Sequence, residues 1–209
     1  MGRITPFGSD SLGAKAAYPV VFAVERPPRF DRAQIFLRLA IALLFSLLLA
    51  VIWLIALVYF AIPVLAAAFT SRDGPDRFFD ENAPRLKRWL HWLVAFGAYG
   101  ALLTDRIPLD DPESVVRLEV RPSGRPTTGR ALLRLVLSVP SAVALAALSA
   151  VAVVTWTVAA VMVLVDENYG GWLYAFHTGL VAWGARLLCY HASLTDRYPP
   201  FSLAANPAA

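Results

Sequence analysis

Long apolar stretches separated by short polar turns set the pattern of this chain. From Ile35 to Phe69 the sequence is apolar apart from Arg38, Ser46 and a few tolerated side chains. About 20 residues suffice to cross the hydrocarbon core of a bilayer. This stretch is longer, so it must tilt, protrude or kink, and Pro63 is the expected kink. Trp53, Tyr59 and Phe60 suit anchors at its far interface. After a polar turn, Pro84 fits the first turn of a second helix. Arg85, Lys87 and Arg88 lie at its start, where long basic side chains snorkel and lengthen a short span. Ala131 to Val165 is the third stretch, with Arg134 near its start and Pro140 as its expected kink. The turn Asp166-Glu167-Asn168-Tyr169-Gly170-Gly171 leads into the fourth. The pattern predicts four transmembrane helices, over residues 34–69, 84–105, 131–165 and 172–195. Two shorter segments, 18–26 and 114–121, are rich in β-branched residues and bounded by prolines, so they read as strands. Residues 1–17 and 204–209 read as tails.

A short phrase occurs twice. Leu103-Thr104-Asp105-Arg106-Ile107-Pro108 returns as Leu194-Thr195-Asp196-Arg197-Tyr198-Pro199. Trp92 and Tyr99 precede the first copy at the spacing of Trp183 and Tyr190 before the second, a constant offset of 91 residues. Leu37-Arg38-Leu39 likewise matches Leu133-Arg134-Leu135. The chain therefore divides into two units, 18–111 and 112–203, each a strand, two helices and a closing phrase. Two spans per unit bring both units into the membrane from one side, as parallel repeats about an axis along the membrane normal. The strands, both closing phrases and both termini then share a side. Arg and Lys are more numerous in the N-tail, the central linker and the C-tail than in the opposite turns, so that side is expected to be cytoplasmic.

Composition agrees with a membrane protein. The chain of 209 residues is 58% hydrophobic and 16% charged, against roughly 25% charged in soluble domains, and its mean hydropathy is +0.57. A single cysteine, Cys189, excludes an internal disulfide and a multi-cysteine metal cluster. The polar first thirty residues do not resemble a secretory signal. No phosphate-binding glycine loop, zinc pattern or nucleophile elbow is present. Neither a cofactor nor a nucleic-acid partner is expected.

The Tyr-Pro-Val strand, the Leu-Arg-Leu helix start and above all Thr195-Asp196-Arg197-Tyr198-Pro199-Pro200-Phe201-Ser202-Leu203 resemble a bacterial integral-membrane family of unknown function. The resemblance covers roughly 18–203. The first copy departs from it, with Ile107-Pro108-Leu109 where the family has Tyr-Pro-Pro. It implies a bacterial inner-membrane setting and brings no substrate or catalytic residue.

Four charges are candidates for structural ion pairs. Asp105 and Asp196 close helices at the end where the macrodipole disfavours an anion, so each wants a cation. Arg38 and Arg134, at the starts of the preceding helices, are the expected partners. Arg186 lies within the fourth helix, where charge is costly and often functional; it is a candidate for lipid or partner contact, with Arg197, Tyr198 and Phe201 of the closing segment. His91, His177 and His191 are too dispersed to share a metal ion. Ala142, Ala146 and Ala150, and Gly97 with Ala101, have the small-residue spacing that permits close helix packing. The expected function is a non-enzymatic accessory or scaffold subunit of a larger membrane complex, contacting lipids and either other membrane proteins or further copies of itself. The alternative is a small transporter or channel with a cavity near Arg186.

Overall fold

The computed structural model describes residues 19–47, 61–68, 71, 82–109, 111–121 and 127–206. The expected N-terminal tail, the Trp53, Tyr59 and Phe60 anchors and most of the polar turn after the first apolar stretch lie outside these residues. In order, the elements are β1 (Val20–Val24), α1 (Arg32–Leu47), α2 (Ala83–Gly100), a 3-10 turn (Pro112–Ser114), β2 (Val116–Val120), α3 (Thr128–Leu137), α4 (Val139–Asp166) and α5 (Gly171–His191). Residues 61–68 are also helical.

The strands pair antiparallel, with Val20 opposite Val120 and Phe22 opposite Leu118. Alternation decides which face is buried. Val20, Phe22, Val116, Leu118 and Val120 point inward, while Arg117 and Glu119 make an ion pair on the outer face. Asp31 starts α1 by accepting the Ala33 N–H at 2.9 Å. Thr127 starts α3 through its hydroxyl, which accepts the Arg130 N–H. Phe22, Ile35, Leu90, Val94 and Leu173 belong to one core under the sheet. Each such side chain contributes roughly 1.5–3 kcal/mol on burial.

Helix α5 runs through that core and packs on α2, α3, α4 and β1. Leu173, His177, Ala182, Ala185 and Arg186 are all buried along it. Its neighbour α4 is the opposite case. Val143, Val151, Val153, Val154, Val158, Val161 and Val165 are exposed.

Four transmembrane helices in two parallel repeats are not what the chain forms. Among the described residues, α4 alone is long and apolar enough to cross a membrane. The third apolar stretch is not one kinked helix. It divides at Ser138 into α3 and α4, because Pro140 has no N–H to give the Val136 carbonyl. α2 carries Arg85, Lys87 and Arg88 in its first turns and is amphipathic, and α5 is an interior helix.

The sidedness is corrected too. The first closing phrase lies at the start of α5, where the Tyr174 hydroxyl donates to the Leu103 carbonyl at 3.2 Å and the Tyr169 hydroxyl to the Ala101 carbonyl at 3.3 Å. Arg26 and Arg32 meet Tyr169 and Glu167 at that same end. The second phrase lies at the far end of α5. A helix of 21 residues puts about 30 Å between the two ends. One side of a membrane cannot hold both phrases with α5 upright between them. The turn at 166–171, expected opposite the strands and the first phrase, is the docking point of the chain around residues 26–32.

Candidate functional site

Each closing phrase is a helix terminator built the same way. Beyond α2, Leu102 adopts φ 63°. The Leu103 N–H reaches the Ala98 carbonyl at 3.0 Å and the Leu102 N–H reaches the Tyr99 carbonyl at 3.1 Å. Beyond α5, Ser193 adopts φ 59°, and Leu194 and Ser193 bond to the Cys189 and Tyr190 carbonyls at 3.1 Å. This is the Schellman closure, which normally takes glycine at the left-handed position. A side chain there costs roughly 1–2 kcal/mol, and the complete burial of the Leu102 side chain offsets it. The threonine then folds the next turn. Thr104 accepts the Arg106 N–H at 3.3 Å, and Thr195 accepts the Arg197 N–H at 3.2 Å.

The aspartates are turned back toward arginines. Arg38 Nη2 donates to the Thr104 carbonyl at 2.5 Å and to Asp105 at 3.2 Å, and its guanidinium lies 4.5 Å from the centre of the Tyr99 ring. The other Asp105 oxygen accepts the Asp31 N–H at 2.9 Å. Arg134 pairs with Asp196 in the same way, over Tyr190 at 5.3 Å. Both arginines are buried, and desolvation lowers the pKa of each from its usual value, opposed by the partner carboxylate. The Asp105 side chain is 19% exposed and that of Asp196 32%. Removing one partner of a buried pair strands the other charge. Asp105→Ala is therefore expected to cost about 3 kcal/mol, and the wetter Asp196→Ala about half as much. Urea denaturation of both variants in mild detergent checks this. Equal, small losses would show that neither pair holds its helices together.

Arg186 is completely buried. Its guanidinium donates to the carbonyls of Ser202 at 2.5 Å, Ala204 at 2.9 Å and Ala205 at 3.1 Å. The chain after Arg197 therefore folds back along α5 as a strap. The Asn206 side chain then accepts the Phe22 N–H at 3.1 Å and ties the strap to β1. Gly179 makes the close approach possible. A Cβ there would lie 2.9 Å from both the carbonyl carbon and the Cβ of Leu203, and closer still to the carbonyl oxygen. Tyr198 and Phe201 belong to the strap. The Tyr198 hydroxyl bonds to the Ser141 hydroxyl at 2.7 Å, and Phe201 meets the Trp183 ring edge-on at 5.4 Å while staying 58% exposed. Arg197, where the strap begins, is exposed.

The histidines lie apart. His91 Nε2 donates to the Val116 carbonyl at 2.5 Å and fixes α2 to β2. His177 places Nδ1 2.8 Å from the Tyr169 hydroxyl and Nε2 3.3 Å from the Ala152 carbonyl. Nδ1 also lies 3.0 Å from the Leu173 carbonyl, so the ring sits in a buried polar cluster with Tyr169. Burial raises the Tyr169 pKa, so its hydroxyl keeps the proton to give. Burial, and after it the charge of Arg134, push His191 down to about 4 from 6.5. The unfolded chain takes up this proton near pH 6.5 and the folded chain refuses it until about pH 4. Stability therefore falls as pH drops through that window, by roughly 3 kcal/mol when complete. His191→Phe is expected to flatten the loss of melting temperature between pH 7 and pH 4.5. An unchanged slope would place the acid sensitivity elsewhere. Burial also pushes the Cys189 thiol up to about 12, so it is a packing group rather than a nucleophile.

The small-residue spacings are only partly used within the chain, where Ala101 packs against the core. Ala146, Ala150 and Gly97 are exposed, and a Cβ on Gly97 would meet nothing within 4 Å. Sequence reasoning passed over Gly179, the left-handed Leu102 and Ser193, and the tail carbonyls that receive Arg186.

A cleft of about 270 Å³ opens beside the first closing phrase, lined by Glu25 to Arg29, Thr104 to Arg106, Ser114 and Val115. Its lining offers charge to a ligand.

Residues 129–202 match the model of a family described as a domain of unknown function (DUF4389). The match takes in about a third of the chain, from the start of α3 through α5 and the second closing phrase to Ser202. No curated protein and no solved structure matches the chain.

Proposed function

We propose that the protein is a non-enzymatic membrane scaffold whose helix α4 lies in the bilayer and whose remaining helices brace it. The observation that carries this is the uncovered length of α4. It has 28 residues, and only 17% of its most apolar window is buried. At 1.5 Å per residue it extends about 42 Å, more than the hydrocarbon thickness. Soluble monomers rarely expose contiguous apolar surface of this extent. Trp89 and Trp172 support the reading. They are about 70% exposed, and exposed tryptophans of this kind are enriched where a protein meets a membrane interface. A channel would need a wet path to Arg186, and Arg186 is instead completely buried and donates to the strap carbonyls.

We read residues 18–111 and 112–203 as two related units. In support, the units end in matching terminators, their strands pair with each other, and each strand packs on the later unit's or earlier unit's helix, β1 on α5 and β2 on α2. Fractionation tests the membrane assignment. The protein is expected in the membrane pellet after alkaline carbonate washing and in the supernatant only with detergent. Release by carbonate alone would end it. For the scaffold role, crosslinking in native membranes is expected to trap α4 against a second polypeptide. Capture of lipid alone would refute it.

A further inference from the structure

We propose that the cleft beside the first closing phrase binds the phosphate of a phospholipid headgroup, a proposal that rests on the membrane reading of α4. Three arginines, Arg26, Arg29 and Arg106, line it with two carboxylates, Glu25 and Asp105. Their engagements differ. Asp105 is turned away, with one oxygen on Arg38 and the other on the Asp31 N–H. Arg26 donates to the Tyr169 carbonyl and Asn168 and lies over Tyr174 at 5.0 Å. Its charge remains, but its position is fixed. Arg29 and Arg106 are exposed and have no partner among the described residues. Once Asp105 is counted with Arg38, Glu25 is the one carboxylate left against three guanidinium groups. Guanidinium forks suit phosphate oxygens geometrically as well as by charge.

The surroundings choose the source of that phosphate. Ile107 and Leu109 follow Arg106 and are exposed. The chain lining the cleft continues into Phe30, whose N–H donates to the Glu167 carbonyl at the end of α4. Arg32 donates to the Val165 carbonyl there. The cationic cleft thus sits at one end of the exposed apolar helix, and exposed apolar side chains follow Arg106 directly in the chain. That is where a headgroup lies when acyl chains run along α4. Pro27 and Pro28 restrict the wall that carries Arg29, which limits the ordering cost of binding. The second closing phrase differs because the strap continues from it, and Tyr198 follows Arg197 into contact with Ser141 of α4 and the Tyr190 ring of α5.

Titration of the full chain in mild detergent tests this, with unfolding followed by tryptophan fluorescence. The probes are dioctanoyl phosphatidylglycerol and inorganic phosphate. A saturable rise in melting temperature with the lipid is expected. Arg29→Ala/Arg106→Ala should weaken that binding at least tenfold, Arg29→Lys/Arg106→Lys should retain part of it, and Glu25→Gln should strengthen it. Inorganic phosphate should need at least a hundredfold higher concentration. Equal potency of inorganic phosphate would overturn the lipid assignment. A lipid response that survives in the double alanine variant, or no response in the parent, would overturn the site. Both arginines are exposed, so the double variant should still resist carbonate extraction. Failure of the cleft is thereby separated from failure of the membrane reading.

Discussion

Gly179→Val is expected to detach the C-terminal strap and to cost at least 3 kcal/mol, on the order of the larger overpacking and network losses. The strap crosses α5 with the Leu203 backbone against the Gly179 Cα, and a Cβ on residue 179 would occupy space that Leu203 already fills. The obstacle is backbone, which cannot rotate away as a side-chain tip can. α5 cannot retreat either, because Ala182 and Ala185 are fully buried on it. Relief must come from the strap. Once it lifts, the Arg186 contacts to Ser202, Ala204 and Ala205 go with it, as does the Asn206 bond to β1. Limited trypsin digestion reads this directly. Cleavage after Arg197 should be slow in the parent protein and fast in the variant, with a lower melting temperature. A variant that melts like the parent and protects Arg197 would show that the strap can pass α5 at another height.

Much of the local structure was legible in the residues. Alternation in two proline-bounded segments marked both strands, and the acidic turn marked the junction between α4 and α5. Arg38 and Asp105 could be set against each other from the repeated phrase, because an aspartate at a helix C-terminus needs a cation. What the residues did not reveal was which apolar helix faces inward. α4 and α5 both read as apolar runs, and hydropathy treats lipid and protein interior alike. The distinction lies in polar residues that an interior helix can satisfy and a lipid-facing one cannot. His177 and Arg186 on α5 are such residues, met by Tyr169 and by the strap. The division of the third stretch also escaped the pattern. A proline can kink a helix or restart it, and here Pro140 falls in the first turn of α4.

The parallel arrangement failed for a related reason. It assumed that every apolar stretch crosses a membrane once, so that identical phrases must recur on one side. The phrase itself encodes only a helix terminator and an ion pair. Leu103 and Leu194 supply the buried residue that follows the left-handed position, and the threonines and aspartates shape the next turn. None of these contacts depends on which way the helix points. The same words therefore close α2 at one end of α5 and α5 itself at the other.

Arg186→Met is expected to be nearly as damaging as Gly179→Val, and combining the two should add little. Methionine fills a similar length of the interior but donates nothing. The Ser202, Ala204 and Ala205 carbonyls would then face apolar surface, and each unmet buried acceptor costs about 1–3 kcal/mol. The strap can avoid that cost by peeling into solvent, so the measured loss should settle near 3 kcal/mol. Arg186→Lys should fall in between, since one ammonium cannot reproduce a fork spread over three carbonyls. In the double variant the strap is already free after either change, so the losses should overlap rather than sum. The coupling, read from urea denaturation of the four proteins, should approach the size of a single loss. Additive losses would mean that Gly179 and Arg186 act on separate parts of the fold, and that the strap is not one cooperative unit held at both points.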